Sequence, residues 1–238
     1  MQLNDDVYVL PLSMVRDGQI HTYNLSLILD PTDGPTLVDT GLPGQLDQIA
    51  RTLAPAGVQV SDLRRIVLTH QDIDHIGSLH DLVQASGARV LAHEIEVPFI
   101  DGTERPRFAR PEVLEARPEL RAVFERLQPT RVDHLLHDGD GLDLAGGVRV
   151  VFTPGHTAGH ICLYLERSGT VIAGDALTAS EGRLQGPNQN ATSDMATAAR
   201  SVQKLAELNV QAVVCYHGGV VQDDPGGQLR RLTEEFGR

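Results

Sequence analysis

The run LTHQDIDHIGSL, residues 68–79, places His70, Asp72, Asp74 and His75 within six positions, directly after an apolar stretch. Imidazole nitrogens and carboxylate oxygens are the donors that divalent metals take, so two histidines alternating with two carboxylates read as a ligand cluster or, failing that, as a solvated loop. Three further segments carry the same donor types: His156 in TPGHTAGH, Asp175 in AGDAL and His217 in CYHGG. A GH or GD pair occurs in many ordinary turns. What makes these informative is that each follows a short apolar, β-branched run, so four loops would project donors from strand ends.

The positioning elements can be read from the same chain. VYVLPL and LSLILD read as strands, followed by GPTLVDTG, which ends in Asp39 and Gly41. A helix is expected through LDQIARTLAPAG, stopped by Gly57, then a buried strand RRIVLTH that delivers His70. SLHDLVQASG reads as a helix with Gly87 just past its end, and ARVLAH as a strand. Residues 94–130 differ: charged, and broken by Pro98, Pro106, Pro111, Pro118 and Pro129, they read as a helical, lid-like surface excursion on a single domain spanning 1–238. Strands resume with a hairpin in GLDLAGGVRVVFTPGHT, then ICLYLE and TVIAGDAL. A helix is expected from Thr192 or Ser193, with Met195, Ala199, Val202, Leu205 and Ala206 at helical spacing. VQAVVCYHGG reads as a strand reaching His217, DDPGG as a loop, and QLRRLTEEF as a closing helix.

Composition narrows the function classes. The 238 residues carry a formal charge of −12, against a nucleic-acid phosphate partner. No apolar run approaches the roughly 20 residues that span a bilayer, and the N-terminus has no signal-peptide pattern. Cys162 and Cys215, both in apolar runs, read as buried free thiols, which suits a cytoplasmic protein. No GxSxG elbow or Ser-His-Asp set supports a covalent acyl-enzyme. Of the other histidines, His160 reads as an orienting or packing residue. His80 and His93 read as surface or core, and His21, His134 and His137 as solvated.

Taken in order, HxDxDH, TPGHTxGH, GDAL and a strand-end histidine resemble the metallo-β-lactamase superfamily of metal-dependent hydrolases, over nearly the whole chain. The resemblance implies an α/β fold, the αββα four-layer sandwich, with a dinuclear metal site at one edge. It implies that His70, Asp72 and His156 hold one metal, that Asp74, His75 and His217 hold the other, and that Asp175 bridges them. LVDTG resembles the superfamily's first motif, with Asp39 fixing a loop or orienting a ligand. The usual first motif is HxHxDH, so Asp72 stands where a histidine is common; flavodiiron members carry a glutamate there. A carboxylate adds charge and a hard donor, so manganese or iron competes with zinc, and a non-ligating Asp72 would leave a single-metal or half-filled site.

Two divalent ions so held would lower the pKa of a bridging water to about 7, giving a hydroxide that attacks an ester, lactone or thioester carbonyl, with Asp74 orienting it. A small-molecule substrate is expected. A secreted β-lactamase is disfavoured by Asp72 and the missing signal peptide, a glyoxalase II type by the short stretch after His217, and a nuclease by the charge. Iron-dependent oxygen or sulfur chemistry and a non-catalytic binding module are the alternatives. Oligomeric state is not legible.

Overall fold

The computed structural model describes residues 1–16 and 18–236. Among the described residues twelve strands form two six-stranded sheets, and two more make a small separate hairpin. The first sheet takes β1 (Val7–Arg16), β2 (Gln19–Ile28), β3 (Thr36–Val38), β4 (Arg65–Val67), β5 (Arg89–His93) and β6 (His134–Leu136), in that spatial order. From β3 on its strands run parallel, with α1 (Leu46–Leu53), α2 (Ile73–Ile76) and α3 (Leu79–Ser86) in the connections. In residues 94–130 lie α4 (Val97–Ile100), α5 (Pro111–Ala116) and α6 (Arg121–Phe124), joined by 3-10 turns.

The second sheet contains β7 (Gly141–Leu142), β8 (Val148–Phe152), β9 (Ile161–Leu165) and β10 (Thr170–Ile172). Next in the chain come the hairpin strands β11 (Thr178–Ser180) and β12 (Arg183–Gln185), then α7 (Met195–Ala206), β13 (Ala212–Cys215), β14 (Gly219–Val221) and α8 (Pro225–Phe236). The spatial order is β14-β13-β10-β9-β8-β7, with β10 and β13 parallel.

Side-chain alternation sorts the apolar residues into three cores and so defines four layers. Along β9, Ile161, Leu163 and Leu165 enter a core shared with Val7, Val38, Val67 and Leu91 of the first sheet. The alternate residues Cys162 and Tyr164 face Val202 and Leu205 of α7 and Leu229 and Leu232 of α8. On the first sheet Ile66, Leu68 and Val90 face Ile49 and Leu53 of α1 and Leu79 and Leu82 of α3. Helix, sheet, sheet, helix is the αββα sandwich, as expected. Strands buried on both faces account for the unbroken aliphatic runs TLV, RIV and ICLYL.

Some boundaries differ from the sequence reading. The β1–β2 hairpin is longer than VYVLPL and LSLILD suggest. Its register continues to Arg16 opposite Gln19, Ser13 and Thr22 pair through their hydroxyls at 3.1 Å, and Val15 and Ile20 are exposed, so neither burial nor an apolar pattern marks that arm. Helix α7 starts at Met195, because the Asp194 side chain accepts from Thr197 N and caps it. PGG is not loop: Pro225 begins α8, with the Asp224 carboxylate accepting from Gly227 N at 3.0 Å. Strands β6, β11, β12 and β14 are three residues of weak pattern each and escape the sequence reading. Both cysteines are free and buried. Among the described residues no helix is long and apolar enough to cross a membrane.

Candidate metal centre

Five strands, β3, β4, β8, β10 and β13, are each followed within four positions by a donor residue at one edge of the sandwich. Asp39 follows β3, His70 follows β4, His156 follows β8, Asp175 follows β10 and His217 follows β13. Asp72 precedes α2, while Asp74 and His75 lie in its single turn. Asp39 makes the sharp exit from β3 in the left-handed region at φ 64°, which Asp tolerates better than most residues.

The donor atoms converge in two sets, each within 4.8 Å: His70, His156 and Asp175, and Asp74, His75 and His217. Asp175 lies between them, its Oδ2 3.4 Å from both His156 Nε2 and His217 Nε2 and its Oδ1 3.4 Å from His75 Nε2. Asp74 Oδ2 is 3.4 Å from His217 Nε2 and 3.9 Å from His75 Nε2. Tetrahedral ligands at about 2.0–2.1 Å from a metal stand about 3.3–3.4 Å apart, so these spacings suit a shared cation. His70 Nε2, His75 Nε2 and Asp175 Oδ1 are buried without a hydrogen-bond partner. Buried polar atoms are rarely left so, and a divalent ion is what three such donors aimed together would fit.

The far sides of the rings are held. His75 Nδ1 donates to Asp39 Oδ2 at 2.9 Å, and Thr69 Oγ1 donates to the same carboxylate at 2.8 Å. With its proton so engaged, Thr69 Oγ1 accepts from His70 Nδ1 at 3.0 Å. Both histidines therefore aim Nε2 inward as the nitrogen left for a metal, the usual arrangement behind a metal-bound histidine. His160, fully buried, accepts from Asp175 N at 3.0 Å and shares 2.9 Å with Thr153 Oγ1, so it orients Asp175 from behind. Gly174 makes this approach possible: at φ +49°, an added Cβ would sit 2.7 Å from His160 Nε2. The Tyr216 hydroxyl donates to the Asp74 carbonyl, and its ring packs on His75 at 3.8 Å between centroids.

Charge follows the same pattern. Burial disfavours the charged form of each of these groups, yet the carboxylates around two of the histidines overcome it. Asp39, Asp175 and Asp74 raise His75 well above its ordinary value, and Asp175 and Asp74 push His217 up to about 10. The surrounding rings in turn hold Asp175 well below the usual carboxylate range. The centre is a nest of carboxylates that calls for cations.

Asp72 also lies here, Oδ2 3.1 Å from His156 Nε2 and 3.5 Å from His70 Nε2, but outside both sets. Its two oxygens take the Arg107 guanidinium, Nε at 3.1 Å and Nη2 at 2.5 Å. Burial pushes the Asp72 carboxyl up, while His156, His70 and Arg107 draw it well below its ordinary value. The remaining histidines stand apart: His93 stacks on Phe152 at 4.5 Å, His137 faces Glu94 and Asp140, His80 is half-buried on α3, and His21 and His134 are exposed.

Sequence reasoning missed two residues. Arg107 is one of several arginines in a charged tract, with nothing local to distinguish it. Glu96 is buried (1 % exposed): Oε1 accepts from Thr157 Oγ1 at 2.8 Å and Gly159 N at 2.6 Å, and Oε2 from Gln71 N at 2.9 Å. It clamps the loop of His70 and Asp72 to the loop of His156. A glutamate just after a strand, facing no predicted partner, carries no such signal in sequence.

Comparison with known proteins agrees with this geometry. A family model described as the metallo-beta-lactamase superfamily matches residues 21–217. The chain is 28 % identical over 240 residues to "Probable metallo-hydrolase YflN" of Bacillus subtilis, covering 88 % of this chain and 90 % of that one. It is 24 % identical over 205 residues to "Atrochrysone carboxyl ACP thioesterase dmxR1" of Cryptosporiopsis sp., covering 85 % of this chain and 51 % of that protein. Among solved structures it resembles metallo-beta-lactamase family protein TTHA1429 of Thermus thermophilus, with a TM-score of 0.76, 30 % identity, and coverage of 98 % of this chain and 80 % of that one.

Proposed function

The chain belongs to the metallo-β-lactamase superfamily and is a hydrolase of it, and on that footing we propose that it cleaves ester, lactone or thioester carbonyls of small molecules at a dinuclear centre. His70, Asp72, His156 and Asp175 would hold one divalent metal, and Asp74, His75, His217 and Asp175 the other. Zinc suits the four imidazoles, and manganese is the main competitor given the carboxylates. When bound, such ions polarise the substrate carbonyl and bring the pKa of water to about 7.

The observation that carries the reading is the inward convergence of partnerless Nε2 and carboxylate atoms around Asp175. The chain's own groups then have defined parts. Asp39 and Thr69 fix the orientation of the His75 and His70 rings, and His160 holds the Asp175 backbone, so the donor set is preorganised. Asp74 is held in its carboxylate form, because the neighbouring His75 and His217 outweigh its burial. Its side chain is 19 % exposed and its carbonyl is pinned by Tyr216, so it faces the mouth, where a carboxylate oxygen can orient incoming water and accept its proton. His217, 36 % exposed, borders the same opening and would hold its metal there. The thioesterase named above supports thioesters within this class.

The test is elemental analysis of protein purified without added metal or chelator, followed by a panel of esters, lactones and acyl thioesters, with Asp175→Ala in parallel. Two divalent ions per chain and turnover lost in Asp175→Ala are expected. No turnover across the panel by metal-loaded protein, with Asp175→Ala behaving identically, would overturn the proposal.

A further inference from the structure

Arg107, from the 94–130 segment, is a long cationic side chain that reaches the donor atoms, and its contacts with them are polar. Nε and Nη2 take the two oxygens of Asp72, Nη2 also stands 3.0 Å from His156 Nε2, and Nη1 donates to His156 O at 2.9 Å and Ser193 Oγ at 2.8 Å. The same His156 Nε2 stands 3.1 Å from Asp72 Oδ2, so imidazole and guanidinium crowd one carboxylate oxygen. Both oxygens of Asp72, and the space beside His156 Nε2, are therefore taken by Arg107 where the first metal of the dinuclear reading would need them. A guanidinium and a divalent ion cannot share that position. In the second set, among the described residues, the ion-pair partners of Asp74 are histidines, and so are those of Asp175.

We infer that Arg107 is a resident counter-cation of the first metal set, competing with the ion for Asp72 and His156, so that the two metals bind in order, the Asp74–His75–His217 set first and the His70–Asp72–His156 set second, with Arg107 expelled at the second step. The inference rests on the dinuclear reading above. It gives Asp72 a reason: a carboxylate accepts a guanidinium through both oxygens, which a histidine cannot do. It also couples the second metal to the segment that bears Arg107. The 3-10 turn Arg107–Ala109, α5 and α6 make their substantial packing with one another and the turn between them, so the Arg107 bonds are a main tie from this segment to Asp72 in the first half and to His156 and Ser193 in the second.

The experiment is a titration of chelator-treated protein with cobalt(II), read by its visible absorption and by calorimetry, on the natural chain, Arg107→Ala and Arg107→Gln. Two steps are expected for the natural chain. In both variants the second step should tighten by about ten- to hundredfold, the scale of a lost charge-assisted pair, while the first stays unchanged. Hydrogen exchange of peptides from 105–127 should rise in the natural chain only when the second equivalent binds. A second step that weakens in both variants would make Arg107 a support for Asp72 as a ligand and overturn the competition, leaving the dinuclear reading intact. So would two indistinguishable steps in all three proteins. Cobalt bound by none of them would overturn both.

Discussion

Replacing Asp39 by Asn tests how the donor set is prepared, because the two carboxylate oxygens face different demands. Oδ1 accepts from Thr69 N at 2.8 Å, a backbone group that cannot give up its proton, and Oδ2 accepts from His75 Nδ1 at 2.9 Å. An amide can keep only one of these roles. With its oxygen toward Thr69 N, its NH2 meets His75 Nδ1 donor to donor, and the ring alone can yield, giving up the proton on Nδ1 and holding one on Nε2. That nitrogen lies 3.4 Å from Asp175 Oδ1, which would accept the proton, and the lone pair meant for metal is gone. The analogous tautomer logic is known from Asp-to-Asn changes behind catalytic histidines. The expected cost is about ten- to hundredfold in affinity for the ion bound by His75, or about 1.4–2.7 kcal/mol. Exchanging a charged for a neutral hydrogen bond should remove about 1–1.5 kcal/mol of stability without metal, lowering Tm by about 2–6 °C. Asn tolerates the left-handed backbone at position 39, so the fold itself should survive. Competition against a chromogenic chelator gives the affinity, and histidine ring nitrogen shifts in 15N-labelled protein give the tautomer. Unchanged affinity, or a His75 that keeps its proton on Nδ1, would refute the reasoning.

Four further outcomes are expected. Glu96→Gln leaves one of the three donors, Gln71 N among them, facing an NH2 group, and should cost about 1–3 kcal/mol in thermal denaturation together with weaker metal binding; an unshifted Tm and affinity would remove Glu96 from the clamp. Gly174→Ala forces a side chain into the left-handed region and against His160, and should cost about 2 kcal/mol or more, read as a Tm lower by about 4–8 °C. Burial pushes the Cys162 thiol up to about 12 and raises Cys215 as well, so both should resist a thiol reagent at pH 8 in the native protein and react once it is unfolded in denaturant. For each site that empties, stripping metal with a chelator should lower Tm by about 5–10 °C relative to protein at a hundred times that site's dissociation constant.

The sequence and the fold agree where a single physical signal is strong. Aliphatic runs such as RIV and ICLYL announce strands covered on both faces, and Gly57 and Gly87 mark helix ends at φ 71° and 69°. The motif order singled out seven residues that the chain brings to one edge, because each follows a strand whose direction is fixed by the sheet. Weak signals failed. The outer arm of the β1–β2 hairpin lacks an apolar face, and the proline at position 225 opens a helix in a stretch that reads as a turn. Arg107 and Glu96 are long polar side chains whose partners lie 35 and 61 positions away, at Asp72 and Thr157, and local pattern cannot encode such contacts.

The donors come from two stretches far apart in the chain: positions 70–75 on the first sheet's side, and His156, Asp175 and His217 on the second. On the dinuclear reading neither half alone presents a complete set, so during synthesis the emerging first half would lack the full set of ligands for an ion. Asp74 and His75 must wait until His217 has left the ribosome and the two sheets have closed on each other. Metal loading would thereby be a late event in the life of the chain, and the ion, once in, would act as a rivet across the halves that slows their parting more than it speeds their meeting.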